Sequence, residues 1–160
     1  MKIVVLLPGK IKPKPLLSAE QEYKKRLQNF GVEVIEYRDE KIYPNQPQST
    51  QKIEAKRILQ SIKSKDFLVA CDERGKPVQT DQLAKLLKAS QTLDFPFSGK
   101  ERMVIVVGGA LGLDEEIRKR ADAVWALSSL VMAGGVARIV LLEGLYRAFT
   151  ILHHHPYHNR

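Results

Sequence analysis

Short apolar runs alternate with stretches of helical period along this chain. Lys2–Leu7, Val32–Tyr37, Phe67–Cys71, Met103–Val107 and Ala123–Leu127 are rich in Val, Ile or aromatics and bounded by turn residues, as buried strands are. Between them the apolar positions recur every three or four residues. Ser18 and Gln21 have capping-box spacing ahead of Tyr23–Phe30, Thr50 or a neighbour opens a helix to about Ile62, and Thr80-Asp81 opens one through Leu83–Leu87. Asp114, Glu115 and Glu116 precede Arg118, Lys119 and Arg120, which puts acids at the start and bases at the end of a short helix. Each well-placed charge is worth ~0.3–1 kcal/mol against the helix dipole, and the basic triplet reads equally as an RNA contact. The last helix, about Val136–Leu152, is apolar almost all round apart from Arg138, Glu143, Arg147 and Thr150, which predicts burial on more than one side and a dimer interface. Strands alternating with helices predict an α/β fold with a mainly parallel sheet and flanking helices. No repeat, low-complexity tract or linker divides residues 1–160, so one domain is expected, with Arg38–Ser49, which contains Pro44 and Pro47, as a long surface loop.

A chain of 160 residues can bury ~70% of the surface its unfolded form exposes. The single cysteine, Cys71, excludes an intrachain disulfide, and the amino terminus carries no long apolar run, so a cytoplasmic protein with no membrane segment is expected. The formal charge is +8. Residues 1–80 hold 16 Lys and Arg against 10 Asp and Glu, and residues 81–160 hold 10 against 8, so most of the positive field lies in the amino-terminal half. That field favours an anionic partner such as RNA.

The candidate chemistry lies after Ile105. The turn Gly108-Gly109-Ala110-Leu111-Gly112 follows a strand and precedes a helix, yet its spacing is neither that of a dinucleotide fingerprint nor that of a P-loop, and no acid near position 130 would hold a ribose. A nicotinamide site is therefore disfavoured, and a plain tight turn stays open. The tail His153-His154-His155-Pro156-Tyr157-His158 has consecutive histidines that cannot easily converge on one ion, and no Cys or carboxylate accompanies them, so no metal is expected. Cys71 reads as a small hydrophobe at a strand end rather than a nucleophile. Asp72 and Glu73 point to opposite sides of an extended chain, and Arg74 and Lys76 around Gly75 read as a mobile basic loop.

Taken in order, Asp-Glu-Arg-Gly-Lys at 72–76, Val-Gly-Gly-Ala-Leu-Gly-Leu at 107–113, Leu-Ser-Ser-Leu at 127–130, Ala-Arg at 137–138, Leu-Tyr-Arg-Ala-Phe at 145–149 and His-Pro-Tyr-His at 155–158 resemble the RlmH family of SPOUT-class methyltransferases. The resemblance covers nearly the whole chain and is weakest over residues 11–65. It implies an α/β knot fold whose carboxy-terminal segment forms a trefoil knot, and a homodimer with its active site at the interface. It also implies methyl transfer from S-adenosylmethionine to N3 of a pseudouridine in helix 69 of 23S rRNA, with the assembled ribosome as substrate. Carried over, the cofactor site comprises Cys71, Gly108, Leu127, Ser128, Ser129, Leu130, Val131 and Met132. His158 becomes the base or proton relay, Tyr157 a base-positioning group, and Arg138 the cation that steadies a phosphate or the developing uridine anion. The chain departs from the family pattern in three places. Cys71 stands where leucine is usual, Met132–Val136 lacks a histidine, and Asn159 follows His158 in place of a basic residue. These departures motivate a competing expectation, a ribosome-binding or assembly factor with a degenerate site. A SPOUT enzyme acting on tRNA is disfavoured by the absence of an evident extra RNA-binding domain.

Overall fold

The computed structural model describes residues 1–38, 40 and 47–158. Five strands, β1 (Lys2–Pro8), β2 (Val32–Tyr37), β3 (Asp66–Pro77), β4 (Arg102–Val107) and β5 (Ala123–Ala126), form one sheet in the order β2-β1-β4-β3-β5. Every strand pair is parallel, with Val5 of β1 opposite Val34 of β2 and Ile105 of β4, and Val69 of β3 opposite Ile105. The helices are α1 (Lys14–Gln28), α2 (Pro47–Ser61), α3 (Thr80–Thr92), α4 (Glu115–Arg120) and α5 (Gly134–Leu152).

Both faces of the sheet are covered, which is why the central strands read as continuous apolar runs rather than alternating ones. On one face Ile3, Val5, Leu7, Val69 and Ile105 pack with Leu27, Leu83, Leu87, Leu141, Leu145 and Phe149 from α1, α3 and α5. On the other, Val4, Leu6, Leu68, Val104 and Val106 meet Ala55, Ile58 and Ile117 from α2 and α4. Leu142, Leu145 and Phe149 are essentially inaccessible, and each contributes ~1.5–3 kcal/mol of hydrophobic burial. At the amino-terminal edge of the sheet the buried Asp66 accepts hydrogen bonds from Arg102 Nε (2.8 Å) and the Lys63 backbone N–H (2.7 Å).

The five strands and the parallel α/β class agree with the sequence expectation, while several boundaries differ. Helix α1 begins at Lys14, so Ser18 lies inside it and does not cap it. Pro13 and Pro15 explain the earlier start, because proline suits the first turn, where its missing N–H costs nothing. Helix α3 is preceded by Gln79, whose backbone N–H donates to the Gln82 side chain at 3.1 Å in a capping box. Residues 74–76, expected as a mobile basic loop, instead continue β3, and after a bulge Lys76 and Pro77 pair with Trp125 and Ala126. In the 38–49 stretch, Pro47 already belongs to α2, and residues 39 and 41–46 lie outside the described residues.

Candidate functional site

In parallel α/β sheets, ligands bind beyond the carboxyl ends of the strands, where the connecting loops splay apart. Here that edge holds a cleft of about 580 Å³ lined by Gln51, residues 71–74, 107–113 and 127–134 apart from Ser129, and Ala137. The volume lies within the usual ~300–1,000 Å³ of small-molecule sites. Cys71, Gly108, Leu127, Ser128, Leu130, Val131 and Met132 are thus brought together, and Ser129 is the one expected cofactor residue that does not line the cleft.

The floor is the glycine turn after β4, closed by the Gly112 N–H donating to the Gly109 carbonyl at 3.0 Å. A Cβ on Gly108 would stand 2.7 Å from the Gly112 carbonyl carbon and 2.8 Å from the Leu113 nitrogen. Gly108 is therefore required by the turn's own backbone, a reason separate from access of a ligand. Helix α2 grips the turn from behind. Gln51 Nε2 donates to the Leu111 carbonyl, and the buried Glu54 fills the space beside Gly109, where a Cβ would sit 2.9 Å from its Oε2. Tyr37 at the end of β2 donates its hydroxyl to the Val107 carbonyl at 2.9 Å.

One wall is the extension of β3. A Cβ on Gly75 would lie 2.6 Å from the Val124 carbonyl carbon, so glycine lets the extension cross directly over β5. Asp72 is fixed by Arg118 Nη1 at 3.2 Å, and the same guanidinium donates to the Leu113 carbonyl, tying this wall to the floor. Arg118 is thereby occupied within the chain. Lys119 pairs with Glu115 at 2.9 Å and Arg120 with Asp122 at 3.3 Å, so the basic triplet is engaged in intrachain contacts throughout. Burial pushes the Cys71 thiol up to about 12, which leaves it neutral and non-nucleophilic at physiological pH.

Arg138 is placed differently from its sequence expectation. Only 3% of its surface is exposed, and it does not line the cleft. Its Nη2 donates to Glu20 Oε1 at 3.0 Å, and its Nε lies 2.6 Å from Oε2 in an ion-pair contact without hydrogen-bond geometry. Its Nη1 donates to the carbonyls of Pro8 (2.7 Å) and Gly9 (3.0 Å). With the guanidinium spent on α1 and on the end of β1, no face of it is free for a phosphate in this chain.

The tail folds back on α5. The Tyr157 hydroxyl lies 3.2 Å from both Glu143 Oε1 and the Tyr23 hydroxyl, its ring meets Tyr146 edge-on at 4.8 Å between centroids, and Arg147 lies over its face at 4.8 Å. Burial, the Tyr23 hydrogen bond and the Glu143 charge hold its phenol well above the usual range, so it acts as a neutral donor. Both ring nitrogens of His158 are shielded from solvent with no hydrogen-bond partner among the described residues. Neither side chain lines the cleft. Glu143 is six residues beyond the cleft-lining Ala137 on α5, or about 9 Å at 1.5 Å per residue, so Tyr157 is anchored more than one turn from the cleft of its own chain.

Sequence reasoning did not place Gln51, Glu54, Arg118 or Glu20 in the site or its supports. Glu20 carried a signal: it occupies an otherwise apolar helix stripe with Leu16, Tyr23 and Leu27, and an acid there implies a buried cation. Arg118 read as a helix-end charge or an RNA contact, and Gln51 and Glu54 carried no signal beyond lying in a helix.

Among the described residues, no group of three His, Cys, Asp or Glu could hold a metal ion, and no helix is long and apolar enough to cross a membrane. The profile of the predicted SPOUT methyltransferase family matches residues 1–158. Curated relatives named ribosomal RNA large subunit methyltransferase H are similar along their whole length. Those of Syntrophotalea carbinolica, Acetivibrio thermocellus and Methylobacillus flagellatus are each 37% identical, covering 100%, 99% and 99% of this chain and equal shares of their own. With its parallel α/β sheet, the glycine-floored cleft beyond the strand ends and a match over all but the last two residues, the chain belongs to the SPOUT methyltransferase family and takes a methyl donor.

Proposed function

We propose that this protein methylates large-subunit ribosomal RNA from S-adenosylmethionine, at N3 of a pseudouridine in helix 69 of 23S rRNA, acting on assembled ribosomes in the cytoplasm as a knotted homodimer. The observation that carries the proposal is the cleft itself: backbone-rich segments at 71–74, 107–113 and 127–134 around one cavity, in a chain whose full-length relatives bear the name of that enzyme. Carbonyl and N–H groups of these loops suit an adenine edge, and Leu130, Val131 and Met132 suit its faces. S-adenosylmethionine supplies a methyl group already activated on its sulfonium. The protein then has to align the acceptor and remove the N3 proton.

His158 serves as that base or relay, and Tyr157 as the group that orients the target, both supplied across the dimer. Two observations support this arrangement. Tyr157 is anchored away from its own cleft, and an apolar rim beside the cleft awaits a cover: Leu130 and Val131 are 75% and 85% exposed, and Val136 and Val140 project from one side of α5 at i and i+4. The alternative, a binding factor that no longer transfers methyl groups, predicts no affinity for S-adenosylmethionine. His158→Ala is expected to lower turnover ~100-fold while donor affinity stays unchanged, the loss typical of a missing general base. Mixing that chain with one whose cleft is disabled should restore activity through one composite site. Mapping methylation in ribosomes from cells with and without the gene tests the target, and an unchanged modification pattern would refute the proposal.

A further inference from the structure

The cations of this protein are not equally available. At the amino-terminal edge of the sheet, Lys2 pairs with Glu33 (2.6 Å), Lys65 with Glu101 (3.0 Å), Lys100 with Asp122 (3.0 Å), and Arg102 with Asp66, so these four positive charges are locally neutralised. At the opposite edge, Lys10, Lys12 and Lys14 are exposed, and none is in an ion pair with a described residue. They alternate with Ile11 and Pro13 along the connection from β1 to α1 and the first residue of α1. Ile11 is buried, and its Cδ1 lies 3.1 Å from where a Cβ on Gly135 would stand, so the connection is seated against the first turn of α5, next to cleft residues Gly134 and Ala137. The Gly9 N–H donates to the Tyr37 carbonyl at 2.7 Å, and Arg138 holds the Pro8 and Gly9 carbonyls. Across the cleft, Arg74 in its lining and the neighbouring exposed Lys76 also lack an ion-pair partner among the described residues.

We infer that Lys10, Lys12 and Lys14 form a fixed phosphate-binding strip that holds the RNA backbone beside the cleft, with Arg138 and Glu20 as the positioning pair that mounts it. The inference rests on the reading that RNA is the substrate. Chemistry selects phosphate: three ammonium groups on one rigid connection, none paired with an acid among the described residues, gain by releasing the counterions of a polyanion. Because the backbone of the strip is already tethered, binding orders only the lysine side chains. The opposite edge competes poorly, since Lys2, Lys65, Lys100 and Arg102 would each first have to leave a carboxylate.

The test compares Lys10→Gln/Lys12→Gln/Lys14→Gln with Lys63→Gln/Lys85→Gln/Lys88→Gln, which removes the same charge from exposed positions away from the cleft. Affinity for purified ribosomes lacking the modification is measured against salt. The strip variant is expected to lose at least ten-fold in affinity, and the slope of log K on log salt should fall by roughly 2 to 3, at ~0.7–0.9 per lost phosphate contact. S-adenosylmethionine affinity and melting temperature should stay at wild-type values. Equal losses in the two triple variants, or an unchanged slope in the first, would overturn the strip while leaving RNA as the substrate. A wild-type protein that binds no ribosome would overturn the strip together with the reading beneath it.

Discussion

The Arg138–Glu20 pair offers a quantitative separation of structural from catalytic roles. Glu20 is fully buried, with Arg138 and Lys24 as its cations, the latter at 2.6 Å. Arg138→Met leaves that carboxylate with one cation and strips the donor from the Pro8 and Gly9 carbonyls. Removing one partner of a buried pair costs ~3–5 kcal/mol, because the other charge remains desolvated. In a chain of this length that corresponds to a melting temperature lower by roughly 6–20 °C, at ~2–4 °C per kcal/mol. Replacing both partners, Arg138→Met with Glu20→Leu, removes both charges, while Lys24 keeps Glu36 at 2.7 Å. The double variant should recover much of the loss, giving a coupling energy of ~1–3 kcal/mol. Urea denaturation of the four proteins, followed by fluorescence and circular dichroism, supplies the cycle, and methyl transfer is measured well below every melting temperature. If Arg138 only positions the β1–α1 connection, turnover recovers with stability in the double variant. If it touches the substrate, stability recovers and turnover does not. A coupling below ~0.5 kcal/mol, or Arg138→Met melting with the wild type, would refute the buried-pair argument.

Gly108→Ala should lower stability by ~1–3 kcal/mol and abolish methyl-donor binding together, because its Cβ meets backbone that cannot step aside; a stable variant that still binds the donor would contradict the geometry of the turn. Cys71, with its thiol pushed up to about 12, should resist iodoacetamide under mildly alkaline conditions in the native protein and react once unfolded, so rapid labelling of native protein would count against its burial. Burial alone would raise the carboxyl pKa of Asp66, but the Arg102 and Lys63 hydrogen bonds outweigh it and hold the group below the usual range. Its stabilising contribution is therefore complete above the unfolded-state value near ~3.9 and is lost as pH falls through the lower folded-state value. Asp66→Asn should remove that acid-side loss, and an unchanged acid limb of the stability profile would show that other carboxylates control it.

Strands β1, β3 and β4 could be read from the sequence because parallel strands buried on both faces leave unbroken apolar runs. Strand β2, at the edge and partly exposed, has its apolar run broken by Glu33 and Glu36, and its β-branched Val32, Val34 and Ile35 marked it instead. The cleft was legible through its glycines and the 127–132 segment for a related reason: sharp turns at strand ends demand residues of restricted type. What the sequence hid was partnership. Arg138 looks the same whether it faces a phosphate or Glu20, and the difference arises from a contact 118 positions away. Arg118 likewise gave no sign that Asp72, 46 positions away, would engage it. Residues 74–76 read as a loop because two basic residues flank Gly75, and only the closeness of β5 reveals a crossing. Ser18 failed as a cap because two prolines upstream had already set the helix start.

The sheet order has a consequence for self-association. Its two outer strands are β2 and β5, whose free backbone edges could recruit a strand from another molecule. Strand β5 is only four residues long, and β2 carries charge along its six, with Glu33 and Glu36 placed beside Lys2 and Lys24. A short edge at one end and a charged edge at the other make sheet extension unfavourable, so runaway strand-by-strand growth is blocked at both sides. The proposed pairing of two copies therefore falls to helix and loop surfaces, where contact is closed and finite, such as the apolar rim of Leu130, Val131, Val136 and Val140.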